Sequence, residues 1–258
     1  MTNIVFKNIT IIGTSHISEE SKNQVAEYIE KNKPDVVCVE LDKDRMISLM
    51  TEEKEESNNN IENKYKSNKD KKKKMRKDSG PQLSLLFKVG PFGFLFYLIA
   101  HTAQKKLGSI VNLEPGADMK SALKTAQKNN IKIALIDQHV LITLKKISKA
   151  FRIKLIFRIF KDFFMALIGK GPKVDFKIDL KKVPDDKTIE KMMNLIKKTY
   201  PEIYNVLIDE RNLHMARRLI VISKKHPTEK IVAVVGAGHK TGMLEYLNSM
   251  YDKIEVLD

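Results

Sequence analysis

Cysteine and tryptophan are nearly missing from this chain of 258 residues, which contains one cysteine and no tryptophan. Because a disulfide needs two cysteines, none can form within the chain, and a scaffold held together by disulfides is excluded. Cys38 lies in the apolar run at residues 36–39, so we expect a buried thiol rather than a nucleophile. This cysteine usage is typical of a protein that folds in a reducing cytosol.

The chain also has little that would carry it across a membrane. Its first residues lead straight into a strand-like segment, without the basic and apolar regions of a signal peptide. A transmembrane helix needs about 20 predominantly apolar residues. Residues 83–100 are nearly that long, but Lys88 and a break with two glycines and a proline at residues 90–93 interrupt them. We therefore expect a cytoplasmic protein in which residues 83–100 form a buried or lid helix, within an apolar helical segment at 81–112.

Acidic residues are fewer than basic ones: the chain has 32 Asp and Glu and 47 Lys and Arg, which gives a net charge of +15. Much of the excess lies at residues 69–77, inside a polar stretch at 52–80. Such a low-complexity basic insertion buries too little apolar surface to offset its conformational entropy. Binding to single strands would need aromatic residues interleaved with the basic ones, and Tyr65 is alone here. We expect no nucleic acid partner.

Residues 146–172 form an amphipathic helical segment, in which basic residues stand against a broad apolar face. The basic residues are Arg152, Lys154, Arg158, Lys161 and Lys170. This pattern is typical of a helix on an anionic membrane surface, and equally of a domain helix whose cations reach out to solvent. We favour the domain helix and keep peripheral contact with the inner face of the membrane as the alternative.

Apolar runs rich in β-branched residues alternate with helical patterns along the chain. This alternation predicts an α/β fold with a mostly parallel sheet and flanking helices. The whole chain, 1–258, is expected to form a single domain, in which a helical insertion separates the sheet-forming halves. The predicted strands are residues 4–12, 35–41, 132–136 and a fourth from Ile231, and the main predicted helices are 18–31 and 201–224.

Two Gly-x-x-His motifs, at residues 13–16 and 236–239, each follow an apolar run. The glycine is expected to let the backbone turn at the strand end. Ligands of open α/β sheets bind outside the carboxyl ends of the strands, where distant residues converge. One interpretation is a paired site of His16 and His239, and the other is that each histidine caps the following helix. Two copies in matching contexts favour the paired site, because histidine is a common metal ligand.

Acidic residues follow two further predicted strands. Glu40 ends the strand at 35–41, and Asp137 follows the strand at 132–136. If this strand is a parallel neighbour of the first, Glu40 comes to the same sheet edge as His16. Glu114 and Asp118 flank a predicted helix start, where acidic residues favour the helix dipole. Capping and substrate contact are equally good interpretations of this last pair.

The ordered set of motifs resembles the TraB family, also called the PrgY or pheromone-shutdown family. The order and spacing match along nearly the whole chain, apart from the polar insertion. The matching segments are residues 13–18, 34–37, 39–42 with Arg45, 114–118, 135–137, 210–212, 215–216 and 234–239 with Gly242.

The resemblance implies a peptidase-like, metal-dependent hydrolase, because the Tiki-type membrane proteases among the wider relatives are described as metalloproteases with two such histidine motifs and an acidic residue. A divalent ion held by two imidazoles and a carboxylate keeps an open position for an acidic water. His16, Glu40 and His239 are the expected ligands, with manganese, cobalt or zinc as the metal.

Other acidic and basic residues receive roles around this expected metal. Glu210 is the expected general base, and Arg211 is expected to stabilise negative charge or hold a substrate carboxylate. The expected substrate-binding residues are Glu114, Asp118 and Asp137. The alternatives are a structural salt-bridge network for Glu210 and Arg211, and a helix cap for Glu40.

Two other functions remain as alternatives. The bacterial namesake lowers the activity of a peptide pheromone, which implies a non-catalytic peptide-binding regulator; a peripheral membrane protein is the third hypothesis. The expected partners are a peptide or small-molecule substrate and a second copy of the chain.

This sequence departs from the family in two places. Relatives typically have Asp-Arg-Asp where this chain has Asp137-Gln138-His139. Many archaeal relatives also continue into C-terminal transmembrane helices, whereas this chain stops soon after His239. We expect an archaeal-type member without that anchor.

Overall fold

A five-stranded sheet forms the centre of the computed structural model, which describes residues 3–14, 19–51, 86–95, 97–98, 116–150, 158, 161, 165 and 186–255. The strands are β1 (Asn3–Phe6), β2 (Ile9–Thr14), β3 (Val36–Val39), β4 (Lys132–Leu135) and β5 (Ile231–Gly236). Their order across the sheet is β1-β2-β5-β3-β4. All neighbours are parallel except β1, which pairs antiparallel with β2. The predicted α/β fold with a mostly parallel sheet is confirmed.

Helices flank the sheet and connect its strands. They are α1 (Glu19–Asn32), α2 (Ala117–Lys128), α3 (Val140–Ala150), α4 (Asp186–Thr199), α5 (Pro201–Tyr204), α6 (Glu210–Lys225) and α7 (Ala237–Met250). A π-helical turn, Asn205–Asp209, joins α5 to α6, and a 3-10 turn, Tyr251–Lys253, follows α7. Residues 43–51 and 86–95 are also helical.

The central strands β2, β3 and β5 are buried on both faces, as the period of two along a strand requires when helices cover each side. In β5, Ile231, Ala233 and Val235 pack with residues of α6 and α7. Val232 and Val234 point to the other face and pack with residues of α1 and α2. The sheet is therefore held rigidly between two helical layers, and its carboxyl edge is a fixed platform for side chains.

The predicted strand at residues 4–12 is wrong as a single element. A two-residue turn at Lys7 and Asn8 divides it into the antiparallel pair β1 and β2, with Phe6 opposite Ile9. Lys7 has a positive φ of 51°, and the Asn8 amide donates to the carbonyls of His226 and Glu229 at 3.0 and 2.9 Å. The polar pair inside an otherwise apolar run was the available turn signal.

The last of the described strands along the chain lies in the middle of the sheet. β5 separates β2 from β3, so the strands ending near His16 and Glu40 are parallel without being neighbours. The register pairs Thr14 with Gly236 and Val39 with Val234. Consequently the ends of β2, β3 and β5 lie side by side at one edge.

The connecting segments are described only in part. The insertion at 52–80 lies outside the described residues, as does most of the amphipathic segment at 146–172 beyond α3. Residues 86–95 lie against α3, where a Cβ on Gly93 would approach the Leu144 carbonyl carbon to 3.3 Å. None of the helices in the described part of the chain combines the length and the apolar character that crossing a bilayer requires.

Candidate functional site

Four charged or titratable side chains meet at the carboxyl edge of the sheet. Glu40 follows β3, Asp137 follows β4, His239 lies in the first turn of α7 after β5, and Arg211 reaches in from α6. Glu40, Asp137 and His239 are 4%, 8% and 5% exposed. We call these four residues the edge cluster. The sequence predicted all four as site residues, and the structure brings them into direct contact.

Arg211 is the centre of the edge cluster. Its Nε donates to Asp137 Oδ1 at 3.0 Å and its Nη2 to Asp137 Oδ2 at 2.7 Å, a bidentate pair. Nη2 also donates to Glu40 Oε1, while Nη1 donates to the Leu207 carbonyl at 3.2 Å and lies 3.1 Å from His239 Nε2. Burial by itself lowers the pKa of Arg211, but the charges and hydrogen bonds of Glu40 and Asp137 outweigh it and raise that pKa.

The imidazole of His239 is oriented by a buried amide. His239 Nδ1 lies 2.7 Å from Asn212 Oδ1, and Asn212 is 1% exposed. Because a carbonyl oxygen only accepts, Nδ1 carries the proton and Nε2 presents its lone pair to the cluster. Nε2 lies 3.3 Å from Glu40 Oε1. In the described chain, α7 has Gly236 as its N-cap and no side-chain cap, so His239 does not have the capping role.

Glu40 also ties the two central strand ends together. Its second oxygen, Oε2, accepts a hydrogen bond from the Gly236 backbone N–H at 2.6 Å. The carboxylate therefore spans from the end of β5 to the guanidinium of Arg211. The helix-cap interpretation of Glu40 is wrong, because the neighbouring Asp42 caps the helix at 43–51 by accepting from the Arg45 N–H at 2.9 Å.

Asp118 fixes the end of β2, two residues before His16. Its Oδ2 accepts from the Thr14 hydroxyl, which also lies 3.2 Å from the Val235 carbonyl. Both Thr14 and Asp118 are 1% exposed. The contact positions the end of β2, whereas substrate binding by Asp118 stays a prediction. His16 and Glu114 lie outside the described residues.

Glu210 is next to Arg211 in the chain but turns towards α3. Its Oε2 accepts from Lys146 Nζ and its Oε1 from the Asn205 amide at 3.0 Å. Both carboxylate oxygens therefore bind residues outside the edge cluster. This arrangement agrees with the alternative role of Glu210 in a structural salt-bridge network. General-base action by Glu210 stays a prediction.

Three residues around the cluster were not predicted as site residues. Asn212 shares a helix face with Met215, Ala216 and Leu219, which are all buried. A polar residue at the head of such an apolar stripe needs a buried partner, and this spacing was a readable signal. Asp42 and Arg45 are the other two residues. Asp42 also accepts a hydrogen bond from the Val140 N–H at 2.9 Å, and Arg45 Nη1 lies 3.6 Å from Asp137 Oδ2.

The glycine of the first motif serves close packing rather than a turn. Gly13 lies inside β2, whereas Gly236 ends β5 and is the N-cap of α7. A Cβ on Gly13 would come within 3.2 Å of the Ala237 Cα at the start of α7. Gly242 lies directly against the Asn212 amide. The expectation that the glycine lets the backbone turn is therefore wrong for Gly13, which lets α7 approach β2, while Gly242 lets α7 approach α6.

Comparison with known proteins agrees with the motif order. A sequence model of the TraB/PrgY/gumN family matches residues 5–253. The chain belongs to the TraB/PrgY/gumN family. The match includes the edge cluster and the strand ends that position it.

Relatives of this family member come from archaea and animals. An uncharacterised protein of Methanocaldococcus jannaschii is 34% identical over 245 residues, covering 94% of this chain and 54% of the relative. TraB domain-containing proteins of Mus musculus and Homo sapiens are 26% and 25% identical, each covering 91% of this chain and 61% of the relative. The chain spans between about half and three fifths of the length of these relatives.

The edge cluster contains an imidazole nitrogen and carboxylate oxygens, which are ligand types that divalent cations bind. His239 Nε2 and Glu40 Oε1 are 3.3 Å apart, close to the separation of about 3.4 Å between two ligands of a tetrahedral ion at about 2.1 Å. The described residues contain no group of three or more His, Cys, Asp or Glu side chains placed to hold a metal. They supply two of the three ligands expected for this family member, and the guanidinium of Arg211 contacts both.

Proposed function

We propose that this TraB-family chain is a metal-dependent, peptidase-like hydrolase whose site lies at the carboxyl edge of the sheet. One observation carries the proposal: His239 and Glu40 are both buried, and their Nε2 and Oε1 atoms lie 3.3 Å apart. Asn212 fixes the protonated Nδ1 at 2.7 Å, which is the usual way in which an outer hydrogen bond orients a metal-binding imidazole.

His239 and Glu40 would hold the metal together with His16, which comes two residues after the fixed Thr14. Manganese, cobalt or zinc, when bound, would supply a Lewis acid and a water acidic enough to attack a carbonyl near neutral pH. Asn212 keeps the His239 lone pair aimed at the cluster. The Gly236 N–H holds Glu40 in place at 2.6 Å, so neither donor has to reorganise.

Arg211 and Glu210 have separate parts in the proposed reaction. The buried guanidinium of Arg211 stabilises the negative charge that develops on a tetrahedral intermediate or holds a substrate carboxylate. Glu210 is the proposed proton acceptor, although its carboxylate pairs with Lys146 in the described structure. Glu114, Asp118 and Asp137 are the proposed substrate contacts.

Metal content tests the proposal directly. The purified chain is loaded with manganese, cobalt or zinc, dialysed, and analysed by elemental analysis beside a His239→Ala variant. We expect about one ion per parent chain and none in the variant. Arg217→Gln is the control: Arg217 is exposed and lies on α6. No retained metal in the folded parent would overturn the proposal.

Turnover is measured next, on a mixed peptide library followed by mass spectrometry. We expect the metal-loaded parent to cleave peptides. The cleavage rate of Glu210→Gln should be lower by about 100-fold or more, because a positioned general base contributes about 100- to 10,000-fold. Lys146→Met separates the two roles of Glu210, because it breaks the ion pair and leaves the carboxylate.

A non-catalytic peptide-binding regulator is the second candidate. The favouring observation is that Arg211 contacts both donor atoms, so that the cluster is neutralised by the chain's own residues. Peptide binding with equal affinity in the parent and in His239→Ala, without cleavage, would support this candidate over the hydrolase.

A further inference from the structure

We infer that Arg45 determines which ligands the site accepts: its guanidinium binds a carboxylate of the ligand at the solvent side of the edge cluster. A peptide that presents a carboxylate there is therefore the preferred class of ligand. The inference rests on the proposed function for the place where a peptide binds, and it names the chemistry by which that peptide is chosen.

The hydrogen-bond donors of Arg211 are all in use. A guanidinium has five N–H donors. Nε and one Nη2 donor are paired with the Asp137 carboxylate at 3.0 and 2.7 Å, and the other Nη2 donor with Glu40. The two Nη1 donors are taken by the Leu207 carbonyl at 3.2 Å and by His239 Nε2 at 3.1 Å. A ligand carboxylate could bind Arg211 only by displacing one of these partners, so Arg211 keeps the role of stabilising negative charge.

Arg211, rather than Arg45, holds the Asp137 carboxylate. Asp137 Oδ1 accepts from Arg211 Nε at 3.0 Å and from the Gln138 N–H at 2.8 Å, and Oδ2 accepts from Arg211 Nη2 at 2.7 Å. Arg45 Nη1 lies 3.6 Å from Oδ2, which is longer than a direct hydrogen bond. Arg45 is thus attracted to Asp137 by charge without being hydrogen-bonded to it.

The Arg45 guanidinium consequently has donors to offer to a ligand. Its side chain makes no hydrogen bond among the described residues, and it is 41% exposed, against 15% for Arg211. Both guanidinium groups approach the same atom, Asp137 Oδ2, so Arg45 lies beside the edge cluster and on its solvent side. A carboxylate binds a guanidinium through two parallel hydrogen bonds, and this geometry adds specificity to the attraction of charge.

The start of its helix fixes the backbone of Arg45. Asp42 Oδ1 accepts from the Arg45 N–H and Asp42 Oδ2 from the Val140 N–H, both at 2.9 Å. This carboxylate is buried and ties the first turn of the helix to the start of α3. The acidic neighbour Asp44 has a partner of its own in His139 Nε2 at 2.8 Å. The guanidinium of Arg45 is therefore presented to solvent from a fixed point at the carboxyl edge.

Peptide retention, without added metal, tests the inference. A randomised tetrapeptide library is made with a free C-terminal carboxylate and, separately, with a C-terminal amide. Each library is mixed with the protein, and the retained peptides are measured by ultrafiltration and mass spectrometry. We expect the parent to retain the acid form about tenfold more than the amide form, because a hydrogen bond to a charged group contributes about that factor. Enrichment of Asp or Glu in the amide library would identify a side-chain carboxylate as the source.

Three variants assign the preference to Arg45. Arg45→Gln should retain the acid and amide forms equally. Arg45→Lys keeps the charge but loses the fork of parallel donors, so we expect a preference between those of the parent and of Arg45→Gln. Lys43→Gln is the matched control, because Lys43 is exposed in the same helical turn and carries the same charge. It should retain peptides as the parent does.

The outcomes separate this inference from the proposed function. Equal retention of the two forms by the parent, with no enrichment of Asp or Glu, overturns the inference and leaves the proposed function standing. A preference that persists in folded Arg45→Gln, or that is lost equally in Lys43→Gln, does the same. Retention of neither form by the parent overturns the inference together with the peptide substrate of the proposed function.

A second measurement, on the parent alone, covers the case in which Arg45→Gln does not fold. Phenylglyoxal modifies accessible arginines, and peptide mapping by mass spectrometry locates the modified ones. We expect the acid library to protect Arg45, and an amide library without Asp or Glu to leave it reactive. Arg217, which is exposed on α6, should react equally in all samples. Equal modification of Arg45 with and without the acid library contradicts the inference.

Discussion

Asn212 acts at the scale of a single hydrogen bond. Its amide oxygen accepts the His239 Nδ1 proton at 2.7 Å, and both side chains are buried. An imidazole with free Nδ1 would exchange between two tautomers, and only one of them offers Nε2 as an acceptor. The amide therefore decides which nitrogen of His239 is available to the cluster.

Replacing Asn212 by leucine tests this role. The Nδ1–H would lose a buried partner, so we expect the free energy of unfolding in urea to fall by about 1–3 kcal/mol. The affinity for manganese should fall by about 10–100-fold, as for other outer partners of metal-binding histidines. Gly242→Ala, whose Cβ would overlap the Asn212 amide, should act in the same direction.

Ser249→Ala on the exposed side of α7 is the matched control and should leave both quantities unchanged. A structural role of Asn212 alone would lower stability without altering the tautomer. The ¹⁵N spectrum of His239 distinguishes the two, and an unaltered tautomer in Asn212→Leu would contradict the assigned role.

At the scale of an element, α6 carries both Arg211 and a histidine, His214, whose pKa lies below its ordinary value. His214 Nε2 is buried and has no hydrogen-bond partner among the described residues. Burial lowers the pKa of His214, and the nearby Arg218 lowers it further, with Lys146 and Arg217 acting in the same sense and Asp137 against them. The folded state thus disfavours a proton that the unfolded state accepts.

The sign of the pH effect follows. Unfolded His214 binds a proton below about pH 6.5, whereas the folded chain binds it only at lower pH, so acid favours unfolding. We expect the unfolding midpoint in urea to decrease more between pH 7.5 and pH 5.5 in the parent than in His214→Gln. Identical decreases in the two proteins would show that His214 does not contribute.

Some elements were readable from the sequence and others were not. The apolar runs predicted β3, β4 and β5 because each run is short and apolar, and those of β3 and β5 are rich in β-branched residues. The turn that divides β1 from β2 depends on Asn8, whose amide partners lie 218 and 221 residues further along the chain. The helix predicted at 201–224 was right in extent, but the π-helical turn at Asn205–Asp209 needs a local shift of backbone hydrogen bonds that leaves no residue signature.

The candidate site was predictable for a related reason. Parallel strands end at one edge, so Glu40, Asp137 and His239 could be placed together before any coordinates. The position of Arg211 could not, because it depends on the packing of α6 against α7. The direction of the Glu210 side chain could not be predicted either. Arg211, the next residue, joins the edge cluster, whereas the Glu210 carboxylate pairs with Lys146.

At the scale of the whole molecule, Cys38 reports on the integrity of the sheet. It lies in β3, is 0% exposed, and packs with α6 and α7. Burial raises the pKa of its thiol to about 12, with Arg218 acting slightly in the opposite sense. Alkylation requires the thiolate, so reagent reaches Cys38 only when the layers separate.

We therefore expect iodoacetamide at pH 8 to leave the folded chain unmodified and to label it completely in denaturing urea. The labelling rate in dilute urea should follow the free energy of global unfolding, because the centre of a sheet opens last. Rapid labelling of the native protein, measured by intact mass, would contradict this placement of Cys38.

The central position of β5 has a consequence for synthesis. Among the described strands, residues 231–236 are the last to leave a ribosome, yet they separate β2 from β3 in the finished sheet. Until they appear, Thr14 and Glu40 lack the strand that lies between them, and the His239 motif does not yet exist. The sheet is therefore completed from its middle, after the synthesis of its four other strands, and its pairings are among the most distant in sequence, which slows folding.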